Sequence, residues 1–553
     1  MSRLIIVSFA VICSLLILST VVLINAAKAG GGVIYILGDG LVLPSAAPIY
    51  SSDNSTYFLT SNITALSDGI IVQRNNVVLD GMGYTVFGDG SGNGVDLVGT
   101  SNVTVRNVNI EGFACGIYIA NYSEITDAGN DSLNSSQGTG ETSFSNIVTG
   151  NNITANYGDG VRIDHSLNDN LVENNISANG GRGVYFYYST NGRVSGNNVT
   201  DNVDGIGLDY SMNNSVYGNI ISANAGDGVT LGNCSGNNFY ANNISSNNAY
   251  GVHFDSSIND SIFGNYIAAN EWNGVRLDSC STCYVGENNI TANTVYGVGL
   301  CSSSNNSISS NDIANNGYGV GFDASSDGNN ISGNNLTENY GHGIGLFASS
   351  NNTIFHNNIV DNKVQAYCTS DSTNFWDDNY PYGGNYWSDY NGTDLRMGPY
   401  QNQSGSDGIG DIPYVVDSRN QDNFPLVGVL SDFKTSSQSH LQTVSNSTIA
   451  NLTLIGTEIS FNASGPQNAT GFCRISLPTN LNISQFTVSV NGKQITYIRL
   501  PESESNETFL YFTYSYPTQE IPEFSPLLIL ALLLVCSFLT GIICKKSNYE
   551  KHL

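Results

Sequence analysis

The 553-residue sequence is short of positive charge: 18 Lys and Arg stand against 46 Asp and Glu, a formal net charge of −28. This excludes nucleic acid as a partner, because phosphate binding needs clustered Lys and Arg. Proline is scarce at 12 residues, and only 12% of the chain is charged. A chain so poor in charge, with a 40% hydrophobic share, is not disordered. Apart from its two ends the sequence has no long apolar run, and no stretch carries the 3.6-residue spacing of an amphipathic helix. What abounds is Gly (60 residues), Asn and Ser, the vocabulary of tight turns between short strands. One ordinary core does not serve 553 residues, so the core must be elongated.

The ends place the protein outside the cell. Arg3 precedes an apolar run from Leu4 to Ile24, and Ala27-Lys28-Ala29 has the form of a cleavage site. Residues 1–29 are therefore expected to be a signal peptide, with an uncleaved anchor as the alternative. Leu527–Cys544 is apolar and is followed by Lys545 and Lys546, the pattern of a transmembrane helix with a cytoplasmic basic stop. Pro522-Glu523-Phe524 just ahead resembles the PEF-type sorting signal of archaeal surface proteins. That resemblance implies archaeosortase processing and lipid replacement; a permanent membrane anchor is the alternative. About two dozen Asn-x-Ser/Thr sequons, among them Asn152, Asn175, Asn198, Asn243, Asn289 and Asn335, are glycosylation candidates in an exported chain.

The middle is a repeat. Segments beginning at Asn151, Asn174, Asn197, Asn219 and onward to Asn357 align at a spacing of 23 residues, with a single 22. Three apolar stations recur in each: Ile153, Ile176, Val199 and their successors; a Gly-apolar-x-apolar strand such as Gly160-Val161-x-Ile163; and Leu171, Val194, Val216 and theirs. Polar residues flank each station, as in strands with one buried face. Three short strands per turn, each turn stacked on the last, describe a right-handed parallel β-helix. Asn fills one station in all ten segments, from Asn156 to Asn362. It suits a left-handed corner and a ladder of stacked amides, and so has a structural role.

The expected organisation is a lead-in at 30–54, the β-helix at 55–378, a closing module at 379–432 and a linker at 433–443. A β-sandwich-like spacer follows at 444–519, then the sorting motif, membrane segment and basic tail at 520–553. A Ser/Gly/Asp-rich insertion interrupts the repeat at 122–145. Asn491-Gly492 between strands signals a hairpin.

Tyr57-Phe58-Leu59, Asn62-Ile63-Thr64 and Asn76-Val77-Val78-Leu79-Asp80-Gly81, followed by the Asn/Gly repeats, resemble the NosD-type β-helix family. Gly384-Asn385-Tyr386-Trp387-Ser388-Asp389-Tyr390 and Asp407-Gly408-Ile409-Gly410-Asp411 are similar to the closing module of its archaeal members. The resemblance implies the fold, and the family name is tied to copper delivery. Copper needs clustered His, Cys or Met. Here four Met and six His are scattered, with no His-x-His pair, so a copper-handling role is not expected. Cys280-x-x-Cys283 lacks a second pair for zinc and reads as a disulfide or as buried thiols.

Chemistry concentrates beside the Gly-apolar-x-apolar strand. Asp recurs one residue past it, at Asp164, Asp209, Asp255, Asp278 and Asp323. His253 and Arg276 point outward within it, on adjacent turns, and aromatics stand at the preceding corner: Tyr250, Trp272, Tyr296, Tyr318 and Tyr340. Rings beside hydrogen-bonding carboxylates suit a sugar chain, with its apolar faces and many hydroxyls. The expected partner is thus a polysaccharide or cell-surface glycan. Asp255 and Asp278, about one strand spacing apart, with His253 and Arg276, are the catalytic candidates should the protein be a polysaccharide lyase or glycoside hydrolase. Repeated Asp produces that spacing automatically, however, so a non-catalytic binding or envelope role is preferred. Asp407, Asp411 and Asp417 are candidate calcium ligands, since alternating Asp and Gly turns supply the oxygens calcium needs, and no other cofactor is expected.

Overall fold

The computed structural model describes residues 31–121, 145–369, 371–434, 440–466, 469–478, 485–500 and 507–516. The signal segment, the 522–524 motif, the apolar run after it and nearly all of the 122–145 insertion lie outside the described residues. The described secondary structure is all strand, and no helix among these residues is long and apolar enough to cross a membrane. The chain divides into two compact units, one essentially up to Leu430 and one from Ser431 onward.

The first unit is a parallel β-helix whose three sheets hold 15, 14 and 14 strands. Each turn visits them in order: Val252–Asp255 in the first sheet, Ser261–Phe263 in the second, Tyr266–Ala268 in the third. Pairing joins each residue to its counterpart one turn on, as in Val252↔Val275, Ile262↔Val285 and Ile267↔Ile290. The three apolar stations point inward and are wholly buried along the column. Each Val or Ile so buried contributes about 1.5–3 kcal/mol. The column begins before residue 55: Ile34–Ile36 pairs in parallel with Ile70–Val72. It also continues past 378, where Tyr386–Trp387 pairs with Asn358 and Ile359. There Trp376 and Trp387, both buried, lie 5.7 Å apart, and Trp387 stacks on Tyr414 at 4.1 Å.

The all-Asn station is a buried ladder. Asn247 donates Nδ2 to Asn270 Oδ1 (3.0 Å), and Asn270 donates in turn to Asn293 Oδ1 (2.9 Å). A second Asn ladder runs through Asn265, Asn288 and Asn311. One expectation needs correction. The left-handed residue at each corner is not the ladder Asn but the one before it: Ala155, Ala178, Asp201, Ala223, Ser246, Glu338. The corner needs the amide at one position and the backbone bend at its neighbour, so a costly left-handed conformation falls on varied residues.

The second unit holds sheets of five and four strands around Leu441, Ile459, Phe461, Ile475, Val488 and Phe512. Asn491 and Gly492, both at positive φ, turn the hairpin between Thr487–Val490 and Lys493–Ile495. Strands Val429–Lys434 and His440–Ser445 occupy both ends of the stretch expected as a linker.

Candidate functional site

In the first sheet alternate side chains face outward, and the register stacks them along the column. His253 lies beside Arg276, and Asp255 beside Asp278. The strand alternation buries Val252 and Phe254 and leaves His253 half-buried. His253 Nε2 lies 3.0 Å from Asp278 and Nδ1 lies 3.6 Å from Asp227. Burial opposes its charge, but hydrogen bonds to Asp227 and Asp278 prevail and push its pKa up to about 9. Burial raises Asp278, but bonds from His253 and the charge of Arg276 overcome this and hold it below the usual carboxylate range. Arg276 meets Asp278 at 2.8 Å and Asp323 at 3.8 Å. Asp255 stands apart: it is exposed and accepts from Ser256 Oγ (3.1 Å).

The same construction recurs toward the N-terminus. Arg162 lies 2.9 Å from Asp164 and 3.8 Å from Asp159. Arg182 lies 3.4 Å from Asp209 and 4.0 Å from Asp204, with its guanidinium 4.1 Å from the centre of the Tyr185 ring. Tyr185 donates its hydroxyl to Asp209 (2.8 Å), and Tyr118 donates to Asp164 (3.1 Å). The corner carboxylates Asp159, Asp204 and Asp227 were not among the residues singled out by sequence. Their signal is the Asp just before the strand's glycine, as in Gly158-Asp159-Gly160 and Gly226-Asp227-Gly228. Each accepts a backbone N–H from the next turn; Asp227, for instance, accepts from Tyr250 (2.9 Å).

Aromatics border this band. Tyr250 sits 4.7 Å from His253 and meets Trp272 edge-on at 4.9 Å. Tyr296 and Tyr318 are 5.1 Å apart, Tyr318 and His342 5.7 Å, and His342 stacks on Tyr367 at 5.0 Å. Trp272 and Tyr340 are exposed, at 49% and 72%.

The acidic loop residues do not converge. Asp411 accepts from the amides of Leu395 and Arg396 and from Thr393 Oγ1. Asp417 caps its own turn through Arg419 and Asn420, and Asp407 is buried. Among the described residues no group of three or more His, Cys, Asp or Glu is placed to hold a metal. Among the sequons, Asn175 donates its amide to Asn152 and Asn198 donates to Asn175, whereas Asn243 and Asn289 are exposed. Asn335, also exposed, donates to Asp312.

The family described as "Periplasmic copper-binding protein (NosD)" matches this chain over residues 25–191, 165–273 and 267–392. No curated protein sequence matches. Among solved structures, the A-module of a mannuronan C-5 epimerase from Azotobacter vinelandii is similar at 16% identity and a TM-score of 0.39, covering 63% of this chain and 91% of its own. A periplasmic alginate epimerase is similar at 15% identity and a TM-score of 0.34, over 62% of this chain and 84% of its own. A tailspike protein of the Escherichia coli O157:H7 bacteriophage CAB120 is similar at 12% identity and a TM-score of 0.34, over 88% and 71%.

Copper, named in the family description, does not fit the residues present. The described His side chains are taken up separately: His165 against Tyr188, His253 between carboxylates, His342 against Tyr367, His356 on the carbonyl of Tyr382, His440 on Asp432. Cys280 and Cys283 are buried in the column, with Sγ atoms directed at backbone carbonyls.

Proposed function

This chain belongs to the NosD family, and from that premise we propose that it is an exported right-handed β-helix protein that binds a polysaccharide along the outward face of its first sheet without cleaving it. The observation that carries this reading is the meeting, on one face, of a row of rings (Tyr250, Trp272, Tyr296, Tyr318, then His342) with a row of hydrogen-bonding carboxylates (Asp209, Asp227, Asp278, Asp323). Rings take the apolar faces of sugars and carboxylates take their hydroxyls. The charge state of His253 speaks against its acting as a general base. A group charged up to about pH 9 and bound on both ring nitrogens has no free lone pair to act as a base near neutrality. The C-terminal segment holds the protein at the outer face of the cell membrane, as a span or after replacement by a lipid.

Incubation of the full chain with a panel of polysaccharides, with and without calcium, tests this. Retention of a polysaccharide with no new reducing ends or unsaturated products is the expected result. Product formation that disappears in Asp278→Asn or Asp255→Asn would establish a lyase or hydrolase instead.

A further inference from the structure

The face divides into two chemically distinct stretches. From Arg162 to Arg276 each cation is bracketed by two carboxylates: Arg162 by Asp164 and Asp159, Arg182 by Asp209 and Asp204, His253 by Asp278 and Asp227, Arg276 by Asp278 and Asp323. Seven carboxylates thus surround four cations. Lys363, near His342 at the far end, stands outside these pairs and still leaves the face net negative. From Gly299 onward the outward position inside the strand is glycine on three successive turns, Gly299, Gly321 and Gly345. At Gly321 the missing side chain lets a neighbouring ring fold down. A Cβ at Gly321 would overlap Cε1, Cδ1 and Cζ of Tyr296 together, so that ring lies across the strand and not on edge. Gly321 is buried beneath it, while Tyr296 remains half-exposed. Tyr318, His342 and Tyr367 continue the surface over the following turns.

We propose that the trough over Gly299, Gly321 and Gly345 is the sugar-stacking subsite and that it takes an uncharged glycan, with a pyranose face lying on the Tyr296 ring. This rests on the glycan reading above and narrows its substrate class. A polyuronate brings a carboxylate on every residue into a face whose cations, Lys363 apart, are already neutralised, and like charges there cost binding. An uncharged chain meets no such penalty. Its hydroxyls find acceptors in Asp278 and Asp323 on the neighbouring turns, and its apolar faces find the rings.

Calorimetric titration of the full chain with soluble uncharged glucans, mannans and galactans, and with polygalacturonate, decides the matter. An uncharged chain should bind with little dependence on salt. Gly321→Leu, which lifts the ring without changing charge, should weaken it at least tenfold. Tyr296→Ala should do the same and Tyr296→Phe should not, a pair that keeps the test valid if the leucine variant folds poorly. Preference for polygalacturonate, or unchanged affinity in both Gly321→Leu and Tyr296→Ala, would overturn the subsite while leaving glycan binding intact. Binding of neither class would overturn the glycan reading as well.

Discussion

Asn237 donates both its backbone N–H and its side-chain amide to Oδ1 of Asp260 (2.6 and 2.9 Å), while the other carboxylate oxygen of Asp260 is buried with no partner. Where this ladder holds Asn, the second atom is an amide nitrogen resting on a carbonyl, as when Asn237 donates to Ser211 O (3.0 Å); Asp169, at the same station four turns earlier, repeats the orphaned oxygen. Burial pushes the Asp260 pKa from 3.8 up to about 6, ahead of the opposing bonds from Asn237. A raised carboxylate pKa means that the ionised form is the less stable one in the fold. The penalty is therefore absent below about pH 4 and complete above about pH 6. Asp260→Asn should raise the melting temperature at pH 7.5, by on the order of 2 kcal/mol of stability. The gain should vanish at pH 4. Thermal melts of the two proteins at both pH values measure it.

The Asn156-to-Asn362 ladder should fail in the opposite sense. Asn270 accepts from the backbone and side chain of Asn247 and donates to Ile244 O and Asn293 Oδ1. Asn270→Ala leaves several buried groups unsatisfied, at about 1–3 kcal/mol each. Its melting temperature should fall by several degrees, while Asn289→Ala, at an exposed strand position with ordinary backbone angles, should change it little.

His253 carries a pH signature. Its pKa is raised to about 9, so its stabilising contribution is complete below its ordinary value of 6.5 and is lost as pH rises through about 9. Melting temperature should fall more steeply between pH 7 and pH 10 in the parent than in His253→Gln. The difference should be about 1–2 kcal/mol, allowing for solvent around a partly exposed pair. An imidazole proton resonance that shifts near pH 9 would identify the group directly.

At the closing turn Asp422 is fully buried, and its Oδ2 accepts from the amide of Asn385 (2.7 Å) and from the indole of Trp387 (2.9 Å). Asp422→Asn sets an amide nitrogen among these donors. In a Trp272→Phe background, which removes the exposed indole, the fluorescence of the remaining buried tryptophans should shift to the red and the last turn should open at lower temperature. Unchanged emission would contradict this role.

The column was legible because its cause is periodic. Inward Val, Ile and Leu every 23 residues, and Asn at one station ten times over, leave few alternatives to stacked turns. The left-handed corners were misplaced because Ala155, Asp201 and Glu338 share a backbone angle and no side-chain chemistry. The adjacency of His253, Arg276 and Asp278 followed from register alone. The part played by Asp227 did not: it reaches His253 from a corner 26 residues earlier, and only the fold brings the two together. The ring of Tyr296 over Gly321 depends on side-chain torsions, which no pattern of residue types records.

One consequence of the Asn ladder concerns the size of the protein. Removing the turn that contains Asn270 would set Asn247 under Asn293, the same donor facing the same acceptor, with Ile244 and Ile290 meeting as Ile244 and Ile267 do now. The Asn seam repeats from turn to turn, so whole turns can be lost or duplicated with this ladder intact. Genetic slippage over one repeat would lengthen or shorten the face it carries, and a family built this way can fit its reach to its target by counting turns.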